Sequence, residues 1–188
     1  MYRISRWINK IASTRLLIIF VAALFLYVLL VLPAENKRAI SDFGGITPDT
    51  SFFYRANDLI TMAEVYGENG RAQYGISRLR FDVLFPFLYA AALSLSMSWF
   101  LKRLMTKERK WCFFNLFPIV GAIFDLLENL SATIVFSMYP DTPGWLLWIT
   151  SGFSLCKWIV LGISFLILFD LVVLFFVQKL KGISSIEN

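Results

Sequence analysis

Four stretches of this chain are long and apolar enough to cross a lipid bilayer: residues 16–32, 83–101, 112–138 and 145–177. A bilayer's hydrocarbon core is about 30 Å thick and takes about 20 apolar residues in a helix. Backbone groups in lipid must bond within their own segment. Four such stretches in 188 residues leave little to decide. The expectation is an all-α, polytopic membrane protein in which four transmembrane helices form one bundle and one domain, 1–188. The apolar fraction of 58% and charged fraction of 16% agree, against roughly 45–50% and 25% in soluble domains.

The basic residues set the expected orientation. Arg3, Arg6, Lys10 and Arg15 precede the first run. Lys102, Arg103, Lys107, Arg109 and Lys110 follow the second, and Lys179 and Lys181 follow the fourth. Short loops rich in Lys and Arg stay in the cytoplasm, so both termini are expected inside a bacterial inner membrane. The net charge of +5 is therefore a topology signal, and no nucleic-acid partner is expected. The first run is read as uncleaved. It is too long for a signal segment, and Val31-Leu32-Pro33-Ala34-Glu35 is a poor cleavage site. It is expected to end at Pro33.

Residues 33–81 form the long outer loop. Thr47-Pro48-Asp49-Thr50 reads as a helix start. Phe52, Phe53, Ala56, Leu59, Ile60, Ala63 and Tyr66 then recur at helical spacing. The loop is thus expected to carry an extra amphipathic helix over 50–66, lying on the membrane surface or capping the bundle. Gly67-Glu68-Asn69-Gly70 breaks it, and a further helix from Arg71 runs into the second span.

Residues with chemistry are few. The chain has no His and only two Cys, with no CxxC. No metal site and no cofactor are expected. What stands out is Asp125-Leu126-Leu127-Glu128-Asn129 inside the third apolar run. Ionisable groups at that depth are costly, face the bundle interior and mark functional positions. Asn115, Pro118, Ala122, Asp125, Asn129 and Ala132 make one face of small and polar groups, with Glu128 beside it. Thr150, Ser154, Lys157, Leu161 and Ser164 make the matching stripe of the fourth helix. Glu128 and Lys157 each lie about one turn outside their span's centre, at 5.4 Å per turn, so they are expected to pair.

Two carboxylates against one ammonium leave one negative charge in low dielectric. A proton, a reaching Arg78 or Arg80, or a bound amine or cation would balance it. The candidate ligand-binding set is Asp125, Glu128, Asn129, Lys157, Ser154 and Tyr89, with Asp82, Arg71 and Arg80 at the outer mouth. Three readings stay open: a lipid or small amphiphilic or cationic ligand held in an acid-lined cavity between spans two, three and four; a structural or assembly subunit in which these charges only lock helices; and a proton- or cation-coupled transporter. Any enzymatic role would be proton transfer by a carboxyl, with Lys157 as electrostatic partner.

The ordered set Gly67-x-x-Gly70-Arg71-x-x-Tyr74, Asp82-x-x-Phe85-Pro86-x-x-Tyr89, Asp125-x-x-Glu128-Asn129 and Ser154-x-x-Lys157-Trp158 resembles a group of small bacterial four-span membrane proteins over nearly the whole chain. The resemblance implies the four-span fold and that these polar positions belong together. It implies no activity. The architecture is also loosely similar to sterol-isomerase-like membrane proteins, which hold acidic groups in an intramembrane cavity, though their usual His is missing here.

Overall fold

The computed structural model describes residues 2–43, 47–48, 54–80, 82–104 and 109–184. Its helices are α1 (Tyr2–Ile11), α2 (Thr14–Leu26), α3 (Leu32–Phe43), α4 (Ala56–Arg80), α5 (Leu84–Leu104), α6 (Phe117–Met138) and α7 (Gly144–Ser184). A π-helical turn, Tyr27–Val31, joins α2 to α3, and a 3-10 segment, Arg109–Leu116, leads into α6. Four helical stretches are long and apolar enough to cross a membrane: Thr14–Glu35, Leu84–Leu104, Trp111–Met138 and Gly144–Lys181. The protein is an all-α, multi-pass membrane bundle.

The spans are not equivalent. The second is the most enclosed and the first the least. On α5 the run Ala92 to Ser98 is buried throughout, because serines alternating with Leu93, Leu95 and Met97 let neighbouring helices approach on several sides. One layer joins Tyr89, Ala90 and Leu93 of α5 to Ala122 of α6 and Leu161 of α7. Gly121 brings α6 against α7: a Cβ there would stand 3.1 Å from Leu161 Cδ2. The first span lies outside, and Tyr27 is its one buried residue among those described. Its ring stacks on Phe85 of α5, with centroids 5.5 Å apart.

The first span does not end at Pro33. The helix continues to Phe43. An interior proline clashes with the carbonyl four residues back and donates no bond. Here the preceding turn widens to π, and the Leu32 N–H reaches back to the Tyr27 carbonyl. The wider register lets the chain pass Pro33 without breaking.

The helix expected in the outer loop also differs from expectation. It starts at Ala56 rather than Thr50. Asp49, Thr50, Phe52 and Phe53 lie outside the described residues. Tyr54 and Arg55 are not helical, and the Arg55 N–H donates to the Asp58 carboxylate at 2.7 Å. That is the return half of a capping box, and it fixes the start. The break falls on Gly67 alone, at φ 63°, a left-handed conformation that glycine adopts without a Cβ penalty. Arg71 reaches across the break and donates to the Ala63 carbonyl at 2.9 Å. It thereby satisfies a group that the interrupted helix leaves open.

α4 caps the bundle. Leu59, Met62, Ala63 and Tyr66 pack on Ala132, Val135 and Phe136 of α6 and on Leu146 and Leu147 of α7. Tyr66 and Tyr74 meet the Phe136 ring at centroid distances of 5.2 and 4.6 Å.

The third span starts with a 3-10 segment, and regular α-helix begins only at Phe117, with Pro118 in its first turn. Proline fits there because those N–H groups have no helical partner anyway. At the same end of the bundle α1, basic and with three Ile and one Trp, docks through Ser5 and Ile8, and Ala12 just past its end is buried with them. α7 spans 41 residues, roughly 60 Å at 1.5 Å per residue. It outruns any bilayer, and its last buried residue among those described is Leu171.

Candidate functional site

The seam of α6 faces inward as its periodicity requires. Asn115 at the end of the 3-10 segment and Pro118, Ala122, Asp125, Glu128, Asn129 and Ala132 are all buried. So are Thr150, Ser154, Lys157, Leu161 and Ser164 of α7. The two stripes meet, and the Lys157 ammonium is ion-paired with Glu128. Glu128 is 0% exposed and Lys157 4%.

Five side chains form a line. The Tyr54 hydroxyl donates to Glu128 Oε1 at 3.0 Å, with the Thr150 carbonyl 3.4 Å away. The other carboxylate oxygen, Glu128 Oε2, meets Lys157 Nζ. The ammonium also lies 3.4 Å from Asp125 Oδ1 and 5.3 Å from the Trp158 ring centroid. Asp125 Oδ2 accepts from the Tyr89 hydroxyl at 3.1 Å. The line runs from the non-helical residue before α4, through α6 and α7, to α5. Each carboxylate thus holds the shared ammonium on one oxygen and a tyrosine on the other.

Among the described residues, no arginine meets Asp125 or Glu128. Arg78 is ion-paired with Asp82, and its guanidinium covers the Tyr74 ring at 4.7 Å. It cannot reach down while held there. Arg80 closes α4, and its side chain lies outside the described residues. Among the described residues, tyrosine hydroxyls meet the carboxylate oxygens that Lys157 does not. Burial pushes the Tyr54 hydroxyl well above its usual range, and the Glu128 charge adds to that. Burial does the same for Tyr66 and Tyr74. Tyr54 therefore stays protonated and donates, which spreads the surplus charge without cancelling it.

The candidates expected at the outer mouth separate from this centre. Arg71 bridges the α4 break and covers the Tyr139 ring at 4.7 Å. Asp82 pairs with Arg78 at the α4–α5 junction. Both tie segments together and neither contacts the line. Asn129 and Ser154 are buried beside it. Asn129 follows Asp125 by four residues, hence on the same face, and its Oδ1 accepts no hydrogen bond among the described residues.

Sequence reasoning missed Tyr54. The signal was present: a tyrosine immediately before Arg55-x-x-Asp58, where the capping residue marks the helix start and leaves Tyr54 free to turn inward. It also missed a second polar knot beneath α1. There Asn115 Nδ2 donates to Ser98 Oγ at 2.9 Å and to the Ser5 carbonyl at 3.0 Å. Asn9 donates to Cys112 Sγ at 3.2 Å. Lys102 donates to the Ala12 carbonyl at 2.7 Å. Comparison of the chain with protein-family models, with curated proteins and with solved structures finds no match.

Proposed function

We propose that this protein binds the polar end of an amphiphilic small molecule or lipid at the centre formed by Asp125, Glu128, Asn129 and Lys157, between α5, α6 and α7. It does so as an inner-membrane protein with both termini in the cytoplasm. The observation that carries the reading is that Asp125 and Glu128 share one ammonium, one carboxylate more than it balances, beside an Asn129 Oδ1 that accepts no hydrogen bond among the described residues. Buried polar groups are nearly always satisfied. Apolar residues of like volume often hold helices together as well as a buried ion pair does, or better. A lock alone therefore has no need of the extra carboxylate, and the open acceptor stands next to it. Both suit a ligand that brings hydrogen-bond donors or positive charge.

The second reading is a structural lock. It is favoured by Glu128, which is fully enclosed with Lys157 on one oxygen and Tyr54 on the other. The transporter reading gains no observation of its own.

Native mass spectrometry of the detergent-extracted protein separates the two. The expected result is a retained amphiphile that is lost from Asp125→Asn and from Asn129→Ala, with thermal stability unchanged or raised. Site residues that trade stability for function behave this way. No retained molecule, together with a large drop in melting temperature for Asp125→Asn, would overturn the binding reading in favour of the lock.

A further inference from the structure

α1 carries three distinct stripes. Ser5 and Ile8, with Ala12 just past the helix end, face the bundle and are buried. At 3.6 residues per turn, Ile4 and Trp7 lie about 100° around the helix from that stripe. They are 56% and 60% exposed. Arg3, Arg6 and Lys10 lie about 160° from it, and all three are exposed. The first acidic residue of the chain is Glu35, so the segment itself carries a net positive charge.

The position of α1 is fixed, not incidental. Asn115 donates to the Ser5 carbonyl, and Asn9 donates to Cys112. Lys102 donates to the Ala12 carbonyl, and Trp99 to Thr14 Oγ1 at 3.0 Å. These bonds hold α1 across the mouth of the bundle, two residues before the first span begins at Thr14. Arg15 opens that span exposed, and Trp111, 41% exposed, stands on the 3-10 segment at the same end. One side of α1 faces protein, an adjacent side is apolar and the far side is cationic. A helix in the plane of a membrane interface has this arrangement.

The geometry points to α1 as a binding surface for anionic phospholipid headgroups. Arg3, Arg6 and Lys10 contact the lipid phosphates while Ile4 and Trp7 enter the acyl boundary. Topology alone requires only that the positive residues lie somewhere before the span. It does not require them on one stripe of a docked helix. Guanidinium and ammonium groups recognise phosphate by charge-assisted hydrogen bonds, and an anionic leaflet attracts them further.

The test uses the full chain reconstituted in phosphatidylcholine bilayers containing phosphatidylglycerol. Trp7 emission is isolated as the difference from Trp7→Phe. Acyl-brominated phosphatidylglycerol is expected to quench Trp7 more strongly than acyl-brominated phosphatidylcholine. The preference is expected to fall about fivefold for each charge removed in Arg3→Gln, Arg6→Gln and Lys10→Gln. It is expected to survive Arg3→Lys with Arg6→Lys and to shrink at about 1 M salt, where charge is screened within about 3 Å. Equal quenching by the two lipids in the unmodified protein overturns the inference. So does a preference that the salt titration leaves unchanged, a readout independent of whether the glutamine variants keep α1 docked.

Discussion

The bundle contains two polar knots, and they are built from different chemistry. The first is the line Tyr54–Glu128–Lys157–Asp125–Tyr89, charged and set among α4, α5, α6 and α7. The second joins Asn115, Ser98 and the Ser5 backbone beneath α1 through neutral groups, with the Lys102 ammonium on the Ala12 carbonyl beside them and no carboxylate among the bonded groups. Each fastens a peripheral helix to the spans: Tyr54 ties down the start of α4, and Ser5 ties down α1. They differ in what failure costs. A neutral donor that loses one acceptor forfeits about 0.5–1.5 kcal/mol. A buried charge that loses its only counter-ion strands its partner, at about 3–5 kcal/mol. The charged knot is a unit, whereas the neutral one is a sum of parts.

Lys157→Met tests the unit most severely. It removes the one ammonium from between two carboxylates and leaves Glu128, fully buried, with Tyr54 as its one side-chain partner among the described residues. The expected loss is roughly 3–5 kcal/mol, read as a fall in melting temperature in detergent. Replacing the whole set, Asp125→Asn with Glu128→Gln and Lys157→Met, removes every charge together. That variant should lie closer to the unmodified protein than Lys157→Met does. Losses that simply add would mean that the line is not one network, because strongly coupled groups show interaction energies of about 0.5–3 kcal/mol.

Tyr54→Phe probes the edge of the same knot. The ring still fills its place against α6, but Glu128 Oε1 loses its donor. Hydrogen bonds to charged groups are worth about 1.5–3 kcal/mol. The expected loss lies in that range and should be local. Amides in the first turn of α4, after Ala56, should exchange faster while α5 stays protected. Uniform exchange across all helices would mean that Tyr54 supports the whole bundle and not only the cap.

The same difference decides what could be read from the sequence. Charges within a span are conspicuous because lipid makes them costly. Helix rise is fixed, so counting from the span centres places Glu128 level with Lys157, and the two are paired. Tyr89 falls on an interior face for the same reason. The neutral knot gives no such signal. Ser5 participates through its backbone carbonyl, and Ser98 is one serine among several on α5. The docking of α1 was equally hidden, because ten residues with four cations in the neighbourhood satisfy the topology rule in any conformation. Pro33 misled because proline normally ends a helix, and a π turn is a tertiary accommodation with no residue signature of its own. The α4 start was legible in Arg55-x-x-Asp58 but was outweighed by the stronger-looking Thr47-Pro48.

Ser98→Ala makes the smallest change and bears most directly on the neutral knot. Asn115 Nδ2 donates to both Ser98 Oγ and the Ser5 carbonyl. Removing the serine hydroxyl deletes one acceptor and leaves the bond that holds α1. The loss should stay within about 0.5–1.5 kcal/mol, with amide protection of α1 almost unchanged. Asn115→Ala deletes both bonds, and α1 should then open ahead of the spans, seen as rapid exchange from Ser5 to Ala12. If Ser98→Ala alone releases α1, the two bonds are cooperative. The neutral knot would then fail as the charged one does, and the contrast between them would rest on charge alone and not on how the parts are connected.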